Sequence, residues 1–282
     1  PHQIETSPEA KAIRFSLNLS ETEALNTLAR SHDATLFMTL LASLNVLLYR
    51  YTGQRDLIVG SPVSHRPDPA WEEVVGMFVN TLALRTRLDP TQSFSDILTV
   101  VRQTVLTSFD HQEVPFEEIV SAIKTDRDWD RSPLFQVLFV WQADTNLSKD
   151  QNGFILEPFA LASSTAKFDL TIALARDENG LQGRFEYRSD LFAPETITAM
   201  VEAFQLLLRK LTTEPERPIS QFALGTAPIP ISHPTLSQSA LHHLFEKQAG
   251  LTPEQVAIHH EAGSLTYRQL NEKSSQVAAL LQ

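Results

Sequence analysis

Cysteine is absent from the 282-residue sequence. This absence excludes disulfide bridges, zinc and iron–sulfur sites with thiolate ligands, and thiol nucleophiles. A chain without cysteine also suits a reducing compartment, so we expect a cytoplasmic protein. The first ten residues have neither a basic start nor an apolar run, and no signal peptide is expected from them.

Positive charge is scarce as well, because 23 lysine and arginine residues stand against 34 aspartate and glutamate residues, for a formal charge of −11. Such a surface repels phosphate backbones and anionic lipids, so neither nucleic acid nor a membrane is an expected partner. The longest apolar stretch, residues 36–49, is interrupted by polar side chains and is shorter than the roughly 20 residues of a membrane span. It predicts a buried core helix.

The common catalytic and cofactor-binding motifs are missing. The sequence contains no Gly-Lys pair, no Gly-x-Gly-x-x-Gly, no His-Glu-x-x-His and no Gly-x-Ser-x-Gly. Histidine pairs occur at 242–243 and 259–260, but neighbouring side chains diverge and rarely ligate one ion. No metal-ligating or cofactor-binding residue is therefore predicted. His65 and His111 lie in loop-like segments flanked by proline, where either a functional role or ordinary hydrogen bonding is possible.

Hydrophobic residues make up 42% of the chain, enough for a substantial core. Apolar alternation predicts strands, and apolar spacing of three and four predicts helices. A capping box of Ser20 and Glu23 and a terminating Gly53 mark two helix ends. The predicted strands are 11–19, 56–63, 134–141, 167–175 and 181–192, and the predicted helices are 21–31, 35–51, one from Ser93, 115–123 and 194–211.

Proline is concentrated after residue 212, with five prolines between Thr212 and Thr235. This density favours an extended linker, so we divide the chain into a first domain at 1–213, a linker at 214–238 and a second unit at 239–282. The second unit is predicted to hold a helix, a strand near 256–260 and a helix from Thr266. Some 44 residues are too few for an independent core, so we expect a segment of a longer protein.

Three stretches in this order resemble the latter half of a condensation domain from a nonribosomal peptide synthetase. They are VGMFVNTLALR at 75–85, HQEVPFEE at 111–118 and RDWDRSPLFQVLF at 127–139, and the loop GSPVSHRPDP at 60–69 is similar to the segment before the first of them. Glu113 and Asp130 depart from the family pattern, which has aspartate and serine there. Residues 239–282, with LTYRQLN at 265–271, resemble the beginning of an adenylation domain, which binds AMP.

The resemblance implies an α/β fold of the chloramphenicol-acetyltransferase type, in which each lobe has a mixed β-sheet with helices packed on one face. It also implies amide-bond formation between an upstream carrier-bound acyl or peptidyl thioester and the amine of a downstream aminoacyl thioester. The family's His-His-x-x-x-Asp-Gly motif does not occur here. This chain is thus expected to supply no catalytic residue, to be inactive alone and to form one wall of a tunnel.

The implied partners are the N-terminal condensation lobe, carrier domains with their phosphopantetheine arms, and the rest of the adenylation domain, which would use ATP and Mg²⁺. No cofactor is expected to bind this segment itself. Candidates for the tunnel or lobe interface are Asn80, Arg66, His111 and Gln112, and Arg127, Asp128 and Arg131 are candidates for a structural ion network. Asn80 either faces the tunnel or binds neighbouring backbone. His111 and Gln112 either help to position or close the tunnel or cap the helix that starts at Pro115. Arg66 pairs either with the motif's aspartate in the other lobe or with a surface carboxylate.

Other functions stay open from the sequence. The first is a free-standing acyltransferase of the same fold that uses coenzyme A thioesters, and the second is a non-catalytic platform that recruits partner enzymes. An epimerisation domain is a third. Because an isolated lobe exposes surface meant for burial, the lone chain is also expected to self-associate. The amino acids that would be joined are not encoded in this stretch.

Overall fold

The computed structural model describes residues 9–66, 68–123, 132–142, 165–224, 245, 248–260 and 263–280. The chain divides into two compact units, Pro1–Pro230 and Ile231–Gln282. The predicted ion-network residues Arg127, Asp128 and Arg131 lie outside the described residues, as does most of the predicted linker.

A mixed six-stranded sheet forms the centre of the first unit, as far as the structure describes it. In space its strands run in the order β1-β6-β5-β4-β2-β3. Strand β4 is parallel to both β2 and β5, and the other neighbours are antiparallel. The mixed sheet that the resemblance implies is therefore confirmed. The strands are β1 (Ala10–Asn18), β2 (Asp56–Ser64), β3 (Val79–Arg87), β4 (Val137–Gln142), β5 (Leu170–Asp177) and β6 (Gly180–Arg188).

Four long helices cover one face of this sheet and bury alternate residues of its strands, so the expected arrangement is confirmed. They are α1 (Leu19–Ser31), α2 (Leu36–Thr52), α3 (Phe94–Asp110) and α5 (Pro194–Thr213), and a short α4 (Phe116–Ile123) follows α3. Helix α2 is buried continuously from Met38 to Leu48 because it contacts α1, α3 and α5. Its nearly uniform apolar sequence reflects that central position.

The start of α1 corrects one prediction. The capping box is formed by Asn18 and Glu21, not by Ser20 and Glu23. The backbone N–H of Glu21 donates to Asn18 Oδ1, and the Asn18 N–H donates to the Glu21 carboxylate, both at 2.9 Å. The helix begins directly where β1 ends, so the last strand residue is the cap. The left-handed Gly53 after α2, with φ of 71°, agrees with the prediction.

Residues 214–224, here called the exit segment, pack on the core of the first unit, whereas the sequence predicted that a linker starts at residue 214. Ile219 and Phe222 are fully buried in the main core. The Ile219 N–H donates to the carbonyl of Gln92 at 2.9 Å, and an Arg50 Nη1 donates to the carbonyl of Ser220 at 2.7 Å. The eleven residues that follow α5 are thus part of the folded first unit.

The described part of the second unit is helical at residues 248–251 and then forms a small hairpin followed by a helix. Most of the first helix predicted for this unit lies outside the described residues. Strands β7 (Val256–His260) and β8 (Gly263–Thr266) pair antiparallel, and α6 (Tyr267–Leu280) follows. The Gln269 N–H donates to Thr266 Oγ1 at 3.3 Å, which caps α6. The predicted strand near 256–260 and the helix after Thr266 are both confirmed.

Within the described ranges, no single helix is long and apolar enough to cross a bilayer. Helices α1 and α2 satisfy the length and composition criteria only as a pair, and a 98° bend separates them.

Candidate functional site

An open groove of about 620 Å³ lies on the first unit where β2 and β4 end. These two strands are parallel, so their carboxyl ends meet at one edge of the sheet, the usual place for ligands in open α/β sheets. The start of α2 and the last turns of α3 complete the walls. The lining residues are Thr35, Phe37, Met38, Ser61, Pro62, Val63, Ser64, Val105, Leu106, Phe109 and Trp141.

The groove lining is apolar and carries no ionisable side chain. Three aromatic rings, of Phe37, Phe109 and Trp141, make much of its surface, and the hydroxyls of Thr35, Ser61 and Ser64 are its polar side-chain groups. The Thr35 hydroxyl is already used, because it accepts the Met38 N–H at the start of α2. Such a surface can hold and orient an uncharged group, but it offers no side chain that takes up a proton near neutral pH.

The floor of the groove depends on the contact between β2 and β4, which is narrow. Gly60 and Leu138 are the register pair between these strands. The buried Ser61 hydroxyl adds a second link, since its Oγ donates to the carbonyl of Phe139 at 2.9 Å. The Phe139 ring in turn packs against Phe37, with centroids 5.4 Å apart. The Ser61 hydroxyl therefore donates its hydrogen within the protein and has none left to donate to a ligand in the groove.

Asn80, at the start of β3, binds neighbouring backbone, which is one of the two alternatives left open by the sequence. Its Nδ2 donates to the carbonyls of Gln112 and Val114 at 2.7 and 2.9 Å. Its Oδ1 accepts the N–H groups of Thr81 and Phe116 at 2.8 and 3.3 Å. The side chain thus connects β3 to residues 111–115, here called the motif loop, between α3 and α4.

His111 and Gln112 both lie in the motif loop. His111 caps the C-terminus of α3, and its Nδ1 lies 2.9 Å from the carbonyl oxygen of Thr107. An oxygen acceptor there requires the proton on Nδ1, and the ring is exposed. Gln112 contributes its carbonyl to Asn80. The structure therefore brings Asn80, His111 and Gln112 together, and it places His111 at the end of α3 rather than at the start of α4.

Arg66 is held within its own loop. Its guanidinium donates to the carbonyls of Trp71 and Val74, the latter at 2.9 Å, and lies 4.3 Å above the centroid of the Phe78 ring. The neighbouring His65 N–H donates to the carbonyl of Phe78 at 2.8 Å, which extends the β2–β3 pairing. Arg66 thus stabilises the stretch from Trp71 to Val79, and its pairing with a carboxylate in another lobe remains a proposal.

This stretch, Trp71–Val79, is here called the apolar loop because its large side chains face solvent. Val75 and Met77 are 99% and 91% exposed, and Trp71, Val74 and Val79 are also exposed. Leu106 and Phe109 on α3, which line the groove, are exposed as well. Large apolar side chains that are exposed close together in one segment are typical of a surface that another domain or protein covers.

A charge cluster lies at the opposite end of the β2–β3 pair from the groove. Asp56 receives hydrogen bonds from Arg85 at 2.8 and 2.7 Å and from Arg87 at 3.3 Å. These guanidinium groups lower the pKa of Asp56 to about 2. Among the described residues, no three histidine, aspartate or glutamate side chains are grouped as a metal site would require.

The sequence interpretation missed the groove itself. Phe37, Met38, Phe109 and Trp141 lie in segments that it assigned only to core helices and strands. The one available signal was topological, because the carboxyl ends of two parallel strands meet at one edge. That signal can be read only when the strand order is known. The sequence does not give this order, because β2 and β4 are far apart in the chain: the hydrogen bond from Ser61 to Phe139 joins residues 78 positions apart.

Comparison with known proteins agrees with this fold. Residues 3–227 match the condensation domain family. The chain is 34% identical over 286 residues to bacitracin synthase 3 of Bacillus licheniformis, an alignment that covers 98% of this chain and 4% of that protein. It is 35% identical over 282 residues to tyrocidine synthase 3 of Brevibacillus parabrevis, covering 97% of this chain and 4% of that protein. The chain therefore spans only a small part of the length of these relatives.

Two solved structures share the fold at lower sequence identity. A four-domain nonribosomal peptide synthetase bound to AMP and glycine superposes with a TM-score of 0.71 at 22% identity, covering 98% of this chain and 23% of that one. The X-domain in complex with OxyB from teicoplanin biosynthesis superposes with a TM-score of 0.68 at 22% identity, covering 79% of this chain and 50% of that one.

The fold is thus the condensation-domain fold, of the chloramphenicol-acetyltransferase type, with a mixed sheet and helices on one face. The chain belongs to the condensation domain family of nonribosomal peptide synthetases.

Proposed function

We propose that this chain is the second lobe of a condensation domain and forms one wall of the tunnel in which an amide bond is made. The bond joins an upstream carrier-bound acyl or peptidyl group to the amine of a downstream carrier-bound aminoacyl group. The observation that carries the proposal is the apolar groove, which is bounded by β2, α3 and β4 and lies beside the motif loop.

The groove supports positioning rather than proton transfer. None of its lining side chains titrates near neutral pH, so the group that takes the proton from the attacking amine must come from outside the lining. The family's histidine motif, absent from this sequence, is the proposed source. Holding two thioester arms in near-attack geometry lowers the entropic part of the barrier, and this is the work assigned to the lobe.

The arm of a carrier domain fits the chemistry of the groove. Phosphopantetheine ends in an uncharged chain with two amides and a sulfur, and its amides need a few polar partners in an otherwise apolar channel. The exposed Ser64 hydroxyl at the end of β2 is available for this role, together with backbone groups of the loop that follows. The arms enter as substrate carriers and are not resident cofactors of this chain.

We further infer that residues 239–282 begin an adenylation domain, which would bind ATP and Mg²⁺ when complete. The support is the LTYRQLN motif at 265–271 and the similarity to bacitracin synthase 3, which covers 98% of this chain although the family match ends at residue 227. A cysteine-free chain suits a cytoplasmic synthetase, and that location is part of the same proposal.

A non-catalytic recruiting platform is the second candidate. It is favoured by the exposed apolar loop, with Val75 and Met77 almost fully in solvent, and by the shared fold with an X-domain that was solved in complex with OxyB. For a platform, the loop would bind a partner enzyme. For a condensation domain, the loop would contact the other lobe.

An assay with defined carrier-bound substrates tests the proposal. The protein extended upstream through a complete condensation domain is incubated with a donor thioester and an acceptor aminoacyl thioester, each on its own carrier. Mass spectrometry then follows the amide product on the acceptor carrier. We expect product from the extended protein and none from residues 1–282 alone.

Two further experiments separate the condensation domain from the alternative functions. Substrates presented as free coenzyme A thioesters are expected to give no product, whereas a free-standing acyltransferase would use them. An extended protein that carries an intact histidine motif and still forms no amide would contradict the condensation function and favour the platform.

A further inference from the structure

We propose that Asn80 is a positioning residue for condensation: it fixes the motif loop, residues 111–115, against β3 and thereby sets the spacing of two walls of the groove. This inference rests on the proposed function. Its physical basis is a set of four hydrogen bonds made by one side chain, three of which cross a gap of more than 30 residues in the sequence.

The amide of Asn80 has no hydrogen-bonding capacity left for a substrate. A primary amide has two N–H donors and two acceptor positions on its oxygen. Here both donors are used by the carbonyls of Gln112 and Val114, and both acceptor positions by the N–H groups of Thr81 and Phe116. An effect of Asn80 on catalysis must therefore act through the loop that it holds.

The loop is connected to the groove from two sides. On one side, Asn80 is the register partner of Val63 across the β2–β3 pair, and Val63 lines the groove. On the other side, the motif loop continues directly from the end of α3, where Leu106 and Phe109 form the facing wall. The Gln112 N–H also donates to the carbonyl of Phe109 at 3.2 Å. The side chain of Asn80 is thus a short physical link between the two walls.

Loss of this link would let the α3 end and the motif loop shift relative to β2. In a positioned reaction, misplacement by about 1 Å can lower the rate about 100-fold without any change in the reacting groups. The substrates would still bind, because the apolar lining remains. We therefore expect the effect in kcat rather than in KM.

The test uses the extended protein with a complete condensation domain and the change Asn80→Asp. The shape of the side chain is kept, but a carboxylate oxygen replaces Nδ2 and faces the carbonyl oxygens of Gln112 and Val114. Asn80→Ala is the second variant, since it removes the link without adding a charge. Asn179→Asp, at the exposed turn between β5 and β6, is the matched control for the same chemical change.

Two measurements are made on each variant. Hydrogen exchange followed by mass spectrometry reports the protection of residues 111–118 against that of the β3 core around Leu82 and Leu84. Steady-state kinetics with carrier-bound substrates separates kcat from KM. We expect faster exchange confined to residues 111–118 and a roughly 10- to 100-fold lower kcat with KM changed less than about threefold in both Asn80 variants, and neither effect in Asn179→Asp.

The inference is overturned if the loop loses protection while kcat stays at the wild-type value, or if the loop keeps its protection in both variants. Loss of protection throughout β3 together with lost activity would show a merely structural role and also overturn it. Absence of amide formation by the wild-type protein would instead refute the proposed function. The kinetic baseline therefore distinguishes the two failures.

Discussion

The ring of Phe135 lies against the backbone of Gly60, in the space that a Cβ on residue 60 would occupy. Phe135 is almost fully buried, and the centroid of its ring lies 5.5 Å from the ring centroids of both Phe116 and Phe168. Gly60 belongs to the segment GSPVSHRPDP, Phe116 to HQEVPFEE and Phe135 to RDWDRSPLFQ. The ring of Phe135 therefore connects three separate sequence motifs beside β2.

Gly60→Ala is expected to destabilise the first unit by about 1–3 kcal/mol, because the added methyl forces the Phe135 ring out of its place. Urea denaturation monitored by circular dichroism measures the change. The double variant Gly60→Ala with Phe135→Leu should lose less stability than the sum of the two single changes, since leucine leaves room for the methyl.

Gly250 is the matched control for this prediction, because a Cβ there would contact nothing within 4 Å. Gly250→Ala should leave the stability of the first unit unchanged within about 0.5 kcal/mol. Full additivity of the Gly60 and Phe135 changes would show that the two residues are not coupled as described.

Phe222→Ala should cost about 3–5 kcal/mol, the range for removing a fully buried phenylalanine. The physical reason is that the exit segment packs on the core of the first unit, so that removing the Phe222 ring leaves a cavity there. Leu251→Ala, at a leucine that is 68% exposed, is the control and should change stability by less than about 0.5 kcal/mol. A small effect at Phe222 would mean that the lobe ends near residue 213, as the proline pattern predicted.

Acid should destabilise the protein partly through Asp56. Its pKa in the folded protein is about 2, below the unfolded value of about 3.9, because Arg85 and Arg87 favour the charged carboxylate. A lowered pKa gives stability that is present above about pH 4 and lost as the pH falls through about 2. The Asp56→Asn variant should therefore lose less stability than the wild type over this range.

The free energy of unfolding at a series of pH values measures this difference, and salt should reduce it because the cluster is exposed. Asp110→Asn is the control, at an exposed aspartate for which no ion pair is found in the described part of the chain. Equal acid sensitivity of Asp56→Asn and the wild type would contradict the assigned role of the arginines.

The lone chain should self-associate through the apolar loop. Replacing Val75 and Met77, which are 99% and 91% exposed, by serine should shift the chain towards monomer in sedimentation velocity. Leu251→Ser, which removes an exposed leucine elsewhere, should leave the association unchanged. Monomeric behaviour of the unmodified chain at high concentration would show that this surface does not drive self-association.

Much of the fold was predictable because its signals are local. The strands and helices follow from alternation and from spacing of three and four, and Gly53 and Ser93 mark ends by their own chemistry. The start of α1 was misplaced because Asn18 with Glu21 and Ser20 with Glu23 both satisfy the capping pattern. Only the residue at which β1 ends, Asn18, decides which of the two pairs forms the cap.

The candidate site was less predictable because its contacts are not local. Asn80 was recognised through a motif, but the carbonyls that saturate it lie 32 and 34 residues away. Arg66 was expected to meet a carboxylate, whereas its nearest partners are backbone carbonyls and the Phe78 ring. No spacing rule predicts either arrangement, since both depend on how loops fold over the end of β2 and the start of β3.

Crosslinking from a carrier domain tests the central claim, that the groove lines the path of the carrier-bound arm. Because residues 1–282 contain no cysteine, Ser64→Cys places one thiol of this chain in the groove, within an extended protein whose other cysteines are replaced. A carrier bearing a thiol-reactive pantetheine should crosslink to Ser64→Cys and not to Thr198→Cys, which lies exposed on α5. Equal crosslinking at both positions, or none at Ser64→Cys, would contradict the account.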